Sequence, residues 1–212
     1  MNLIVTDDVV GAGASFIAAR RPSTVALAGG HTPAGIYREL GRRPLPWDKV
    51  DFYFGDERCV PPDDPESNYR MAREALPRAR LHRMEGERPD VEVAAADYAQ
   101  ILPDALDLII LGVGEDGHTA SLFPGRPVGP GKVMVVRDAP KPPPTRLSVT
   151  PIVIRAARER LVVATGADKA EAVRAALTGP VDPLRLPAQH ARDGTWLLDR
   201  AAAELLEGRD VR

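Results

Sequence analysis

Short apolar runs separated by amphipathic stretches form the dominant pattern of the chain. The runs at residues 23–28, 107–111 and 160–165 are largely apolar, which is typical of strands buried on both faces of a parallel sheet. With weaker signals elsewhere, the pattern predicts strands at residues 3–5, 23–28, 50–54, 107–111, 132–136, 146–150, 160–165 and 196–198.

Helical periodicity and cap signals occupy most intervals between these runs. They predict helices at residues 7–20, 34–40, 67–75, 90–102, 152–158, 168–177 and 201–206. The second helix has Thr32 as its predicted N-cap, followed by Pro33 at the first helical position. Strands that alternate with helices predict an α/β fold, with a mostly parallel sheet covered by helices on both faces. We expect one domain over residues 1–212, with its proline-rich stretches as surface loops.

Composition excludes several classes of function. The chain has 28 basic and 30 acidic residues, a net charge of -2 and no basic run, so nothing favours binding to nucleic acid. Cys59 is the one cysteine, which excludes an internal disulfide and fits a reducing compartment. No apolar run approaches the ~20 residues that span a bilayer, and no signal-peptide pattern is present. We therefore expect a cytoplasmic protein, present as a monomer or weak homodimer.

Polar residues cluster after four of the predicted strands, at residues 29–33, 55–58, 112–118 and 166–169. Because the carboxyl ends of parallel strands share one edge of a sheet, we expect these loops to border one crevice. Gly29 and Gly30 offer unhindered backbone N–H groups at the start of a helix, as phosphate binding requires. A tight turn capped by Thr32 is the alternative interpretation.

The 112–118 loop reads GVGEDGH and formally matches the G-x-G-x-x-G fingerprint of dinucleotide-binding proteins. That interpretation fails because Pro124 leaves room for only a very short helix, and because the unit lies in the middle of the chain. Glu115 and Asp116 would also place two negative charges where a pyrophosphate should bind. We expect no nucleotide cofactor.

His118 lies two residues after Asp116. A carboxylate that accepts a hydrogen bond from one ring nitrogen fixes the tautomer and leaves the other nitrogen as a base near neutral pH. A histidine that only satisfies its own loop is the alternative. Asp56, Glu57 and Arg58 form either a second polar element of the site or a surface ion cluster. The histidines are scattered along the chain, so we expect no metal site.

Several sequence blocks occur in a fixed order along nearly the whole chain. They are Gly29-Gly30-x-Thr32-Pro33, Asp56-Glu57-Arg58 with Val60-Pro61 and Ser67-Asn68, DGHTASLFPG starting at Asp116, Arg146-Leu147-Ser148-Val149-Thr150, Gly166-x-x-Lys169 and Trp196-Leu197-Leu198-Asp199. In these blocks the chain resembles the 6-phosphogluconolactonase family. The resemblance implies a three-layer α/β/α sandwich with a Rossmann-like parallel sheet. It also implies hydrolysis of 6-phosphogluconolactone to 6-phosphogluconate in the pentose phosphate pathway, without a metal or nucleotide cofactor.

The same resemblance implies roles for individual residues. His118 is the expected base that takes a proton from water, and Asp116 orients it. Arg58 and backbone N–H groups of the glycine loops are our candidates for stabilising the oxyanion. The residues expected to bind the substrate and its phosphate are Gly29, Gly30, His31, Thr32, Asp56, Arg146 and Lys169. His31 departs from the family, which usually has Ser or Thr at this position.

Two alternatives remain besides the lactonase interpretation. Glucosamine-6-phosphate deaminases resemble the chain through their own Asp-Gly-His stretch, but they use a Glu shortly after the His. Here Ser121-Leu122-Phe123-Pro124 occupies that region and contains no acid. A sugar-phosphate-sensing module without catalysis is the other alternative, and it would require an output domain for which the chain has no room.

Overall fold

A computed structural model of the chain describes residues 1–44 and 46–206. Its strands are β1 (Asn2–Val5), β2 (Thr24–Leu27), β3 (Asp51–Phe54), β4 (Asp56–Arg58), β5 (Arg80–Leu81), β6 (Leu108–Gly112), β7 (Val133–Val136), β8 (Arg146–Val149), β9 (Glu159–Ala164) and β10 (Thr195–Leu198). Its α-helices are α1 (Val9–Arg20), α2 (His31–Gly41), α3 (Asn68–Ala75), α4 (Val91–Ile101), α5 (Pro151–Ala156) and α6 (Ala170–Thr178). Short 3-10 helices lie at Trp47–Lys49, Ala167–Lys169 and Pro187–Ala191.

Seven strands form a wholly parallel sheet in the order β1-β10-β9-β6-β2-β3-β5. The central strand β6 is the most apolar, and its side chains from Leu108 to Leu111 are all buried. Helices flank this sheet, which confirms the predicted α/β sandwich with a mostly parallel sheet. No helix within the described ranges is long and apolar enough to cross a membrane.

The strand order reverses between β2 and β6. From β2 the chain moves outward through β3 to β5, and from β6 it moves the other way through β9 to β10. In an open α/β sheet, the crevice beyond the carboxyl ends of the strands at such a reversal is where ligands bind. The two glycine loops of the sequence, which follow β2 and β6, meet at this point.

A second sheet, which the sequence analysis did not predict, joins β4, β8 and β7 in antiparallel pairs. The strands predicted at residues 132–136 and 146–150 exist, but they belong to this smaller sheet. β4 was missed because its three residues are Asp, Glu and Arg, with no apolar alternation. Its extended form depends on pairing with β8, which lies far away in the chain.

Two local predictions are wrong. α2 begins at His31 with Gly30 as its N-cap, and Thr32 does not cap it, because the Thr32 hydroxyl bonds the Thr165 hydroxyl at 2.7 Å. The segment 201–206 forms successive turns in place of the expected helix. Two backbone N–H groups there bond carbonyls three residues back, as in Leu206 to Ala203 at 2.9 Å, and one, that of Ala203, bonds the Asp199 carbonyl four residues back.

Candidate active site

The four polar loops converge on one edge of the parallel sheet, as predicted, because β9, β6, β2 and β3 are parallel neighbours. They border a cavity of about 480 Å³. We call it the central cavity. The predicted site residues that line it are Gly29, Gly30, Asp56, Arg58, Asp116, His118, Arg146 and Lys169.

His118 and Asp116 form a short hydrogen bond at the mouth of this cavity. The His118 Nδ1 atom lies 2.6 Å from the Asp116 Oδ1 atom, and the same oxygen accepts the His118 backbone N–H at 3.1 Å. Because Nδ1 faces a carboxylate, the neutral ring carries its proton on Nδ1 and has a free electron pair on Nε2. This is the geometry of an oriented general base.

The loop can place this pair because Gly114 has no side chain. A Cβ atom at Gly114 would lie 1.9 Å from His118 Nδ1 and 2.6 Å from Asp116 Oδ1. The loop also closes on itself, since the Gly114 N–H donates to the His118 carbonyl at 2.9 Å. On its other side the His118 ring packs against Phe123, with centroids 4.9 Å apart.

Asp116 keeps its charge in this position. Burial by itself would raise its pKa, but the backbone N–H of His118 and the imidazole outweigh that effect and hold the pKa of Asp116 below its ordinary value. The carboxylate is therefore ionised at neutral pH and able to stabilise an imidazolium as it forms.

Asn68 connects Asp56 to Arg58, which both lie on β4 of the second sheet. Its side-chain nitrogen donates to the Asp56 backbone carbonyl at 2.8 Å, and its oxygen accepts from Arg58 Nη1 at 2.8 Å. Gly29 permits this contact, because a Cβ there would lie 2.2 Å from Asn68 Oδ1. The Asp56 carboxylate accepts the Ser121 hydroxyl at 2.7 Å. Arg58 Nε is buried without a partner in the described part of the chain, so this guanidinium retains an unused donor.

Glu57 points away from the cavity and was not singled out as a site residue. Its two oxygens accept backbone N–H groups of Arg58, Asn68 and Tyr69, each at 2.8 Å, and the Ser67 hydroxyl at 3.0 Å. Those donors belong to the start of α3 and to β4, so Glu57 anchors the helix to the strand. The ion cluster suggested by the sequence is thus divided: Asp56 and Arg58 line the cavity, and Glu57 is structural.

Arg146 is buried and pairs in register with Arg58 across β4 and β8. Its guanidinium donates to the carbonyls of Pro143 and Lys141 at 3.2 and 2.8 Å, which holds the proline-rich loop over the cavity. Burial lowers the pKa of Arg146, although nearby Asp56 acts in the opposite direction. Its position beside the cavity agrees with the sequence interpretation, but much of its donor capacity already serves the loop.

Two lysines meet at the opposite wall. Lys169 Nζ lies 2.6 Å from Asp168 and 3.5 Å from Glu115, and Lys141 Nζ lies 3.7 Å from the same Glu115 oxygen. Lys141 was missed by the sequence analysis, because nothing in a proline-rich loop indicates where it folds back. Two ammonium groups are therefore present at this wall, paired with Glu115 and Asp168.

His31 and Thr32 are not part of the cavity wall. His31 is exposed at the first turn of α2, and the Thr32 hydroxyl is engaged with Thr165. The glycines that precede them do line the wall, so the loop contributes through its backbone. The His31 imidazole and the Thr32 hydroxyl are therefore not among the groups that line the central cavity.

Cys59 does not line the central cavity. Burial, followed by the charge of Glu57, raises the pKa of the Cys59 thiol to about 11, so the thiolate is scarce at neutral pH. The described residues contain no cluster of three or more His, Cys, Asp or Glu side chains that could hold a metal ion.

Comparison with known proteins agrees with this geometry. Residues 4–198 match the family model described as glucosamine-6-phosphate isomerases/6-phosphogluconolactonase. A 6-phosphogluconolactonase of Streptomyces coelicolor is 40% identical over 221 residues, covering 89% of this chain and 84% of the relative. A 6-phosphogluconolactonase of Synechocystis sp. is 39% identical over 212 residues, covering 90% of this chain and 87% of the relative. The solved structure of 6-phosphogluconolactonase from Trypanosoma cruzi superposes with a TM-score of 0.84 at 27% identity, covering 98% of this chain and 97% of that one. The chain therefore belongs to the glucosamine-6-phosphate isomerase/6-phosphogluconolactonase family.

Proposed function

We propose that the chain hydrolyses 6-phospho-D-glucono-1,5-lactone to 6-phospho-D-gluconate, a step of the oxidative pentose phosphate pathway. The observation that carries the proposal is the Asp116–His118 pair, held at 2.6 Å in a cavity that also contains Arg58, Arg146 and Lys169. A base for water and cations for a phosphorylated substrate are what this reaction requires. The named relatives support the same substrate.

In this mechanism His118 acts as the general base. Its Nε2 atom accepts a proton from water, and the oxygen of that water attacks the lactone carbonyl carbon. The tetrahedral intermediate collapses by breaking the bond between that carbon and the ring oxygen. The ring oxygen leaves with the proton returned by His118, so the base is regenerated. Asp116 stabilises the transient imidazolium.

The oxyanion of the intermediate needs donors that are already in position. Arg58 meets that need, because Asn68 and the Glu66 carbonyl fix its Nη1 atom at 2.8 and 2.7 Å. The remaining N–H groups of Arg58 are therefore already in position for the oxyanion, and the side chain needs no further ordering. Backbone N–H groups of the 112–118 loop are the second source of donors.

The phosphate is bound at the other end of the cavity. Lys169 and Lys141 supply charge, and the N-terminus of α2 at Gly30 supplies oriented N–H groups. Arg146 contributes charge and also positions the loop that carries Lys141. Thr32 and His31 take no direct part in this version of the site. Asp56, buried beside Ser121, contacts sugar hydroxyls.

The cellular setting is part of the proposal. The balanced charge and single thiol support a single-domain cytoplasmic enzyme that acts on a small molecule as a monomer or weak homodimer. It needs no nucleic acid, metal or cofactor for the steps described.

The test is the rate of 6-phosphogluconolactone hydrolysis above the spontaneous rate, with glucosamine 6-phosphate as a second substrate. We expect saturable lactone hydrolysis and no release of ammonia from the amino sugar. A lactone rate equal to the uncatalysed rate would contradict the function. Ammonia release without lactone hydrolysis would favour the deaminase alternative.

A further inference from the structure

A second cavity, of about 580 Å³, adjoins the central cavity and has a different chemical character. It lies between the 121–128 turn, β7, the start of α5 and the 183–190 segment. Its volume is within the range of small-molecule binding sites. The wall is mostly apolar, with Phe123, Val128, Met134, Val136, Leu184 and Pro187 among its side chains.

The polar part of this wall is entirely cationic or neutral. Arg126, Arg137 and Arg155 line it, and no acidic side chain does so within residues 1–44 and 46–206. We call it the arginine cavity. Arg137 already pairs with Glu92 at 3.0 Å. Arg126 and Arg155 have no carboxylate within 4.0 Å among the described residues.

Neutral acceptors hold these two arginines in place. Arg126 donates to the backbone carbonyls of Arg137 and Asp138, at 2.8 and 2.7 Å. Arg155 Nη2 lies 2.9 Å from His190 Nδ1. Carbonyls and an imidazole orient a guanidinium without cancelling its charge, so both cations remain available to an incoming anion.

His190 supplies a further donor. Burial, and then the charge of Arg155, lower the pKa of His190 to about 4, so the ring is neutral at physiological pH. Because Nδ1 accepts from Arg155, the ring proton lies on Nε2. The cavity thus combines an apolar body with two unpaired guanidinium groups and an imidazole N–H.

We propose that the arginine cavity binds a small organic anion, with an apolar ring or chain that carries a carboxylate, sulfonate or phosphate group. The apolar wall would bury the body, and Arg126 and Arg155 would bind the charged group. A second copy of the chain is a poorer occupant. A two-fold interface pairs each surface patch with itself, which would bring these arginines together.

The test uses 8-anilinonaphthalene-1-sulfonate, an aromatic anion, and its uncharged analogue N-phenyl-1-naphthylamine, both followed by fluorescence. We expect Arg155→Gln and Arg126→Gln each to weaken binding of the sulfonate about tenfold, since each removes a charge-assisted contact. Affinity for the uncharged analogue should stay the same. Arg158→Gln is the matched control, because Arg158 is exposed on the neighbouring turn and pairs with Asp107 outside the cavity.

A second pair of variants covers the case in which an arginine substitution unfolds the chain. Leu184 is half exposed on the rim, so Leu184→Asp, which adds a negative charge, should weaken sulfonate binding more than Leu184→Asn does. Equal binding by both, or sulfonate affinity unchanged in both arginine variants, would overturn the proposal. Loss of sulfonate binding in Lys169→Ala would also overturn it, because Lys169 lines the central cavity and not the arginine cavity, so the probe would then occupy the central cavity.

Discussion

Two acidic residues, each placed shortly after a strand of the parallel sheet, have opposite surroundings. Glu57 follows β3 and is 3% exposed, with four donors around its carboxylate. Asp116 follows β6, and its side chain is 45% exposed, with its hydrogen bonds coming from His118. The Glu57 donors belong to the protein scaffold, whereas the donor to Asp116 is itself titratable.

The pKa shifts of the two carboxyl groups differ in sign because their burial and their hydrogen-bond donors differ. Burial raises the pKa of Glu57, and its four donors only partly oppose that rise. The pKa of Asp116 is lowered, since burial is weaker there and His118 outweighs it. An acid that orients a base must stay charged while the base changes its charge, and the lowered pKa of Asp116 meets that condition.

The largest effect should come from the partner of Asp116. His118→Ala removes the base, and we expect kcat/KM for the lactone to fall about 10³-fold, within the range for general base catalysis. The free energy of unfolding should change little, because the ring lies at the mouth of the cavity. Stopped assays corrected for spontaneous opening, together with thermal denaturation, measure both quantities. Full activity in this variant would remove His118 from the mechanism.

Asp116→Asn should have the next largest effect, a decrease in kcat of about 100-fold with a small change in KM. An amide at this position fixes neither the tautomer nor the charge of the imidazolium. A kcat equal to that of the wild type would mean that Asp116 only supports the loop.

The stability of Asp116→Asn has a predictable pH dependence. Because the folded-state pKa of Asp116 is lowered, its stabilising contribution is present above the unfolded value of about 3.9 and is lost as pH falls through the folded value. The Tm of the wild type and the variant should therefore differ at neutral pH and converge in strong acid. A constant difference would contradict the assigned charge state.

Glu57→Gln tests whether Glu57 has a structural role and no role in catalysis. One carboxylate oxygen becomes an NH₂ group that faces donors, so the free energy of unfolding should fall by about 1–3 kcal/mol. We expect kcat per folded molecule to stay near the wild-type value. Urea denaturation with an activity assay separates the two readouts. A large loss of kcat in fully folded protein would give Glu57 a role that its contacts do not explain.

The same comparison shows what could be predicted from sequence. β6 and the His118 loop were predictable, because an apolar run buried on both faces and a glycine-rich end are local signals. β4 and the role of Glu57 were not, since the donors lie about ten residues further along the chain and the pairing partner of β4 is β8. Contacts between residues that are distant in the sequence determine both the β4 strand and the role of Glu57.

The residues proposed to bind the phosphate were also only partly predictable from the sequence. Lys169 was expected from a local motif, whereas Lys141 lies in a proline-rich loop whose carbonyls accept hydrogen bonds from Arg146. Thr32 had every local feature of a cap, yet a tertiary contact with Thr165 uses its hydroxyl. Local propensity was overridden wherever a distant element provided a better partner.

Lys169→Ala separates binding from proton transfer. The loss of one cation from the phosphate site should raise KM about tenfold and leave kcat close to that of the wild type, because substrate and transition state share that contact. Initial rates over a wide range of lactone concentration measure KM and kcat separately. An unchanged KM would remove Lys169 from the phosphate site, and an equal fall in kcat would place it nearer to the reacting carbon.

The smallest expected effect concerns Glu115, a third acid that neighbours Asp116 but contacts the two lysines. Its carboxylate lies 3.5 Å from Lys169 and 3.7 Å from Lys141, so it competes with an incoming phosphate for the same cations. Glu115→Gln should lower KM about threefold at low salt, and less at high salt, since screening weakens exposed charges. Glu171→Gln is the matched control, because it removes the same charge from an ion pair with Arg174 on α6. A KM that rises in Glu115→Gln, or that falls equally in the control, would mean that the acid beside Asp116 positions the lysines and does not compete for them.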